Sequence, residues 1–121
     1  MATTTAIYMA WGLPVPGRER PALEEFSSYV QWVTKLKADG KIARFEVYMP
    51  VYGLPQALTG FTVIEGSDQQ IEAIVKSQEW RVRVDRVLMI AQNVRVDLCE
   101  VGEAVANRMK VYGSTFQQLK L

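Results

Sequence analysis

The hydrophobic period of this chain switches between two and about 3.6 residues, and the order of these switches constrains its fold most strongly. Short segments rich in β-branched and aromatic residues lie at positions 5–11, 41–52, 58–66 and 93–101. Helical spacing separates the first segment from the second and the third from the fourth. The order strand, helix, strand, strand, helix, strand predicts one α+β domain.

The first predicted helix lies between Pro21 and Gly40. A proline is well placed in a first helical turn, and Glu24 and Glu25 suit the positive end of the helix dipole. Gly40 then ends the helix as a left-handed cap. The residues expected to face the core share helical spacing: Leu23, Phe26, Val30, Val33 and Leu36.

The second half of the chain carries a capping signal for the second helix. Ser67 with Gln70 three residues later forms a capping box, and a break is expected near Ser77 before the helical spacing resumes at Trp80. The last strand, at positions 93–101, alternates apolar with polar side chains. Beyond it, the chain is predicted to be weakly helical.

This element order is that of the ferredoxin-like βαββαβ plan, a four-stranded antiparallel sheet with the helices on one face. The uncovered face predicts a homodimer joined through its sheets. We expect one domain at 1–121, with a core at 5–101 and a C-terminal helical extension at 102–121. That extension is expected to pack on folded protein, either its own subunit or the partner, because it is rich in apolar residues.

Residue usage excludes several classes of site. The chain has no histidine, which excludes Ser-His and Cys-His catalytic pairs and histidine-based metal sites. Neither a metal nor another cofactor is expected. Cys99 is the single cysteine and is expected to be a small buried residue. Fourteen basic and 13 acidic residues give a net charge of +1, so no nucleic-acid partner is expected.

No run of residues has the roughly 18 consecutive apolar positions of a membrane helix. The N-terminal residues lack a basic segment, and the apolar stretch is interrupted by Gly12 and Pro14. These features predict a cytoplasmic protein with no membrane partner.

The element order, the chain length, and the run from Ser67 through Trp80 into the strand at 94–101 resemble the dimeric α+β barrel superfamily. Its members include cofactor-free antibiotic-biosynthesis monooxygenases and muconolactone-isomerase-like enzymes. The resemblance covers residues 5–101 and implies that two sheets pack face to face into a barrel with a ligand cleft. Several members use a histidine for chemistry or for metal or haem binding, and this chain differs from them because it has no histidine.

Six side chains are candidates for contact with a ligand. Strand alternation places three of them on one face of the second strand and two on one face of the last strand, and the sixth ends the first strand. Either they line a cleft between the sheet and the helices, or the charged ones form ion pairs across the sheet or the dimer contact. The candidates are Trp11, Arg44, Glu46, Tyr48, Arg95 and Asp97.

Aromatic side chains offer a second signal, because ligand pockets are mostly apolar with a few placed polar groups. Tyr8, Trp11 and Trp80 either form the wall of a pocket for a flat ligand or belong to the core.

Two hypotheses for function follow. The first is a cofactor-independent oxygenase or isomerase that acts on a small aromatic or lactone-like metabolite in the barrel cleft. Glu46, Asp97 or Tyr48 would then transfer protons, and a carboxylate base would need a pKa raised by burial. The alternative is a non-catalytic dimeric module that binds a ligand or a partner.

Overall fold

The computed structural model describes residues 2–120 and contains the predicted elements in the predicted order. The second helix is broken at Ser77, as expected, and the C-terminal segment forms a further helix. The elements are β1 Thr5–Trp11, α1 Glu19–Ala38, β2 Arg44–Tyr48, β3 Gly60–Gly66, α2 Asp68–Val75, α3 Gln78–Ile90, β4 Arg95–Glu100 and α4 Glu103–Gln118.

The four strands form one antiparallel sheet in the order β2-β3-β1-β4. The two strands that carry the predicted charged residues, β2 and β4, are therefore its opposite edges. In the centre of the sheet, Ile7 of β1 lies between Ile64 of β3 and Leu98 of β4. This register fixes which side chains share a face.

The helices α1, α2 and α3 cover one face of the sheet, called here the helix side. Ile7 and Met9 of β1 and Ile64 of β3 point into this layer and are buried. The buried apolar residues contributed by the helices are Tyr29, Val33, Ile71, Ile74, Trp80 and Val87. The single core of the described residues lies between the sheet and these helices.

Side-chain caps fix the starts of α2 and α3, the two helices that connect β3 to β4. The Ser67 hydroxyl accepts a hydrogen bond from the backbone N–H of Gln70, whose side chain accepts one in return from the N–H of Ser67. This is the predicted capping box. Ser77 caps α3 in the same way by accepting from the N–H of Trp80, so the break between α2 and α3 is a second helix start.

Several local predictions are wrong. The second strand spans five residues, because residues 49–59 form an extended loop instead of continuing the sheet. Leu23 is exposed and the buried face of α1 is formed by Glu25, Tyr29 and Val33, which are spaced four residues apart. Cys99 is also exposed, since β4 is an edge strand.

The C-terminal helix α4 contains no buried residue. Its first turn follows Gly102, which has φ = 61°, and its Arg108 side chain forms a 2.8 Å ion pair with Glu100 at the end of β4. Within the described chain, the expectation that this segment packs on its own subunit is therefore wrong.

None of the helices in residues 2–120 combines the length and the apolar character that crossing a membrane requires.

Candidate functional site

Two surfaces of the described chain bring together side chains that could recognise another molecule. One is a pocket on the helix side, called here the helix-side pocket. The other is the face of the sheet opposite the helices, called here the open sheet face.

The helix-side pocket lies where the ends of β1 and α3 meet the first turns of α1, and its volume is about 220 Å³. Nearly all of the side chains around it are apolar, which is typical of ligand pockets. Its lining residues are Met9, Trp11, Gly12, Pro14, Ala22, Leu23, Glu25, Phe26, Tyr29, Met49, Thr59, Val87, Ile90 and Ala91.

Trp11 forms an aromatic wall of this pocket. Its ring centroid lies 5.5 Å from that of Phe26 on α1, with the planes tilted by 56°. Gly60, the neighbour of Trp11 across the sheet, leaves room for the indole, because a Cβ there would come within 2.8 Å of the ring. Strand pairing and the absence of a side chain at Gly60 thus position this wall.

The charged group of the pocket wall is the carboxylate of Glu25, a residue that is only 8% exposed. Its Oε2 accepts a 2.8 Å hydrogen bond from Nη1 of Arg83, and Oε1 accepts a 3.3 Å bond from Nη1 of Arg86. Both arginines come from α3. Two guanidinium groups therefore neutralise the carboxylate and connect α1 to α3 beside the pocket.

Arg83 is itself 5% exposed and has further partners. Its Nη2 lies 3.0 Å from Oε1 of Glu79, one helical turn earlier, and its guanidinium lies 5.1 Å from the centroid of the Trp32 ring. Its Nε has no hydrogen-bond acceptor among the described residues. A buried charge in this setting depends on Glu25 for compensation, because removing it from water is costly.

The phenol of Tyr29 is the second polar group at the pocket. Its oxygen lies 2.9 Å from the hydroxyl oxygen of Thr62 on β3, and both residues are buried. Burial raises the pKa of Tyr29 to about 12, and the hydrogen bond to Thr62 and the positive charge of Arg83 offset part of this rise. The phenol is therefore neutral at ordinary pH.

The open sheet face is centred on a row of aromatic rings across three strands. The rings of Phe61 and Tyr48 stack with centroids 4.8 Å apart, and Tyr8 lies 5.3 Å from Phe61 on the other side. In the strand register Phe61 pairs with Tyr48, and Tyr8 pairs with Val63, which is two residues from Phe61 on β3. Residues two apart in a strand face the same way, so the three rings share this face. No helix covers this row in the described chain.

Ion pairs flank the aromatic row at both edges of the sheet. On β2, Nε of Arg44 lies 3.4 Å from Oε1 of Glu46, and its Nη1 lies 4.0 Å from Oε2 of Glu65. On β4, Arg95 pairs with Asp97, and this pairing raises the pKa of Arg95 above its usual value. Each edge therefore presents both signs of charge.

Five of the six predicted site residues share the open sheet face: Arg44, Glu46, Tyr48, Arg95 and Asp97. Trp11 lies on the helix side, so the described chain does not form one cleft that joins it to the other five. Tyr8 and Trp11 are also separated, because positions three apart in a strand face opposite ways. Trp80 is buried in the core. A ligand-binding role for the five residues stays a prediction.

Sequence reasoning missed Glu25 and Tyr29 as pocket residues. In the sequence, the position of Glu25 near a helix start indicates only that it suits the positive end of the helix dipole. The signal that marks both residues is their spacing of four with Val33, which places all three on one stripe of α1. Their partners Arg83 and Thr62 lie 58 and 33 residues away in sequence, so only the fold brings them together.

No family model and no curated protein matches this chain. Solved structures with a similar fold include the following two. One is a dimeric protein of unknown function and ferredoxin-like fold from Bacteroides fragilis, with a TM-score of 0.59 and 11% identity over 81% of this chain and 96% of that chain. The other is the Pseudomonas aeruginosa protein PA3566, with a TM-score of 0.59 and 14% identity over 84% and 97%. At these identities the likeness concerns the fold alone, and it confirms the predicted ferredoxin-like α+β fold.

We predict that Glu25→Ala lowers the free energy of unfolding by roughly 3 kcal/mol, because it leaves Arg83 buried without its main counter-ion. Urea unfolding measures this change. The matched control is Glu72→Ala, which removes the exposed Glu72–Lys76 pair and should cost less than about 1 kcal/mol. Equal small losses in both variants would contradict a structural role for the buried pair.

We predict that Tyr29 makes stability depend on pH in alkaline solution. Its folded-state pKa is about 12 against 10.0 for the free group, so the folded chain holds the phenol proton more tightly. The resulting stabilisation is fully present below pH 10.0 and is lost as the pH rises through about 12. The loss should be roughly 2 to 3 kcal/mol and absent in Tyr29→Phe.

Ultraviolet absorbance of the phenolate follows the same group directly. The difference in absorbance between the parent and Tyr29→Phe isolates Tyr29 and should rise near pH 12, in line with its raised pKa. A difference that rises near pH 10.0 while the protein is still folded would contradict the burial of Tyr29.

Proposed function

We propose that this protein is a homodimer that binds a small, uncharged and largely apolar molecule in the helix-side pocket. The observation that carries the proposal is a 220 Å³ pocket whose wall combines aromatic rings with a buried, fully paired carboxylate. Pockets with mostly apolar walls and a few fixed polar groups are typical of small-molecule sites.

The charge at the pocket favours a neutral ligand. An anion would lose its hydration in this apolar cavity, and the guanidinium groups beside it are already paired with Glu25. A cation would compete with Arg83 and Arg86, which already neutralise that carboxylate. The rings of Trp11 and Phe26 favour a flat aromatic molecule, because aromatic pairs gain energy beyond the area that they bury.

The ionisable groups at this pocket favour binding over catalysis. A general base must reach the proton that it removes. Each oxygen of Glu25 already accepts a hydrogen bond from a guanidinium group of α3, and burial raises the pKa of Tyr29 to about 12. The non-catalytic module is therefore the better supported of the two hypotheses, and the oxygenase or isomerase is the weaker one.

The open sheet face supports the homodimer. An aromatic centre rimmed by charges is the usual composition of an interface between proteins, and here Tyr8, Phe61 and Tyr48 supply the centre. Both edge strands carry charges of both signs, so a second copy related by a twofold axis would meet complementary groups. Packing of two sheets in this way would give the dimeric α+β barrel, and the dimeric protein from Bacteroides fragilis has a similar fold.

We predict that Ala22→Phe abolishes binding of 1-naphthol, a neutral aromatic probe, because the added ring fills the pocket that Ala22 lines. Isothermal titration calorimetry measures the affinity. Ala38→Phe, the same change at the exposed end of α1, is the control and should bind as the parent does. The anionic analogue 1-naphthoate should bind at least about tenfold more weakly to the parent. Equal affinity of both probes, or of both variants for 1-naphthol, would contradict the proposed pocket.

We predict that Phe61→Asp converts the dimer into a monomer, since it places a charge at the centre of the proposed sheet-to-sheet contact. Light scattering at micromolar concentration gives the mass. Val51→Asp introduces the same charge at an exposed loop position and should leave the dimer intact. A parent protein with the mass of one chain, 13.7 kDa, would rule out the dimer itself.

A further inference from the structure

Five apolar residues in and directly after α4 repeat at intervals of four, three, four and three, which is the spacing of a coiled-coil seam, while the exposed Val111 lies off this pattern. This seam, called here the α4 stripe, consists of Val105, Met109, Tyr112, Phe116 and Leu119. Each of these residues is between 43% and 66% exposed. The stripe thus forms one continuous apolar face along the helix, and no described residue of its own chain buries it.

The helix is poorly suited to persist without a partner. It has 16 residues, and Gly113 lies inside it, where glycine costs about 1 kcal/mol relative to alanine. Isolated helices only slightly shorter than this are marginal in water even when they are rich in alanine, and most helices in proteins are stabilised by packing an apolar face. The α4 stripe is the face available for that packing.

The same chain leaves a second apolar surface uncovered. Val96 and Leu98 of β4 face the helix side, as their register with Met9 and Ile7 shows. They are nevertheless 37% and 61% exposed, because α1, α2 and α3 do not reach this edge of the sheet. A further helix on the helix side would cover this surface, called here the β4 strip.

In the described chain α4 leaves its own β4 strip uncovered, since Val96 and Leu98 stay exposed. Gly102 has φ = 61°, and a Cβ there would lie 3.0 Å from the carbonyl oxygen of Thr3, so the turn is tightly packed. The 2.8 Å ion pair between Arg108 and Glu100 fixes the second turn of the helix at the end of the strand.

We propose that α4 is an arm that packs its stripe on the β4 strip of a second copy of this chain. The proposal extends the homodimer proposed above. If two copies exchange these helices about a twofold axis, each α4 stripe covers the β4 strip of the other copy, and the two contacts are identical. The α4 stripe exposes on the order of 600 Å² per chain. Burial of both stripes in a dimer would remove roughly 1,200 Å² from water, which is the lower end of the range for stable interfaces.

A second copy fits this stripe better than a membrane surface does. Helices that lie on membranes carry many basic residues on their polar face. The remainder of α4 carries Arg108 and Lys110 against Glu103, and most of its other polar residues are uncharged.

Mixing two single-cysteine variants tests the contact directly. In a Cys99→Ser background, Leu98→Cys is made in one sample and Met109→Cys in another, so a disulfide between the two different chains is necessarily intermolecular. We expect oxidation of the mixed sample to give this cross-linked pair as the main product, identified by its mass. Absence of the mixed product, with the dimer intact, would overturn the exchange.

The strength of the contact is tested in the full chain by Met109→Ser/Phe116→Ser. We expect the dissociation constant of the dimer, measured by analytical ultracentrifugation, to rise at least about tenfold. Lys110→Ser/Gln117→Ser changes two residues outside the stripe on the same helix and should stay within about twofold of the parent. Circular dichroism checks that both variants are folded.

The outcomes separate the arm from the proposed dimer. A dimer of unchanged affinity in the stripe variant would overturn the arm and leave the sheet-to-sheet contact standing. A monomeric parent would overturn both, whereas the pocket would still be tested by 1-naphthol. Binding of the parent, but not of the stripe variant, to phosphatidylglycerol vesicles, without any change in dimer affinity, would assign the stripe to membranes and overturn the arm.

Discussion

Burial of one face of the sheet under α1, α2 and α3 is the constraint on which the rest of this structure depends. The core requires α1 and α3 to lie side by side over the sheet, and the pair between Glu25 and Arg83 joins them at 2.8 Å. A buried pair of this kind contributes little net stability over an apolar contact, but either partner alone is costly. It therefore favours the one arrangement of the two helices in which both charges are compensated.

The helix-side pocket follows from that arrangement. Its wall is built from the same elements that form the core, and Tyr29 belongs to both: its ring packs in the core and its side chain also lines the pocket. The hydroxyl of Thr62 satisfies the phenol at 2.9 Å, so a polar atom is kept neutral and hydrogen-bonded beside an apolar space. If the proposed ligand binds here, a pocket of this character would select it by shape and by absence of charge more than by ionic contacts.

Because three helices cover only one face, the chain retains three apolar surfaces without a partner in the described residues. They are the aromatic row of the open sheet face, the β4 strip and the α4 stripe. Contiguous apolar surface of this extent usually marks an interaction site in a protein that remains in solution. Pairing with a second copy is the economical account, because one symmetric assembly would cover all three surfaces at once.

The sequence by itself determined the order of the elements, the capping box at Ser67, the break at Ser77 and the shared face of Arg44, Glu46 and Tyr48. These depend on periods of two and 3.6 residues and on hydrogen bonds between neighbours in the chain. Only the tertiary structure decided that Glu25 is buried, that Trp11 lies on the face opposite Tyr48, and that α4 is left exposed. Each of these depends on contacts between residues far apart in sequence, and local periodicity carries no information about which distant side chain will neutralise a charge or cover a stripe.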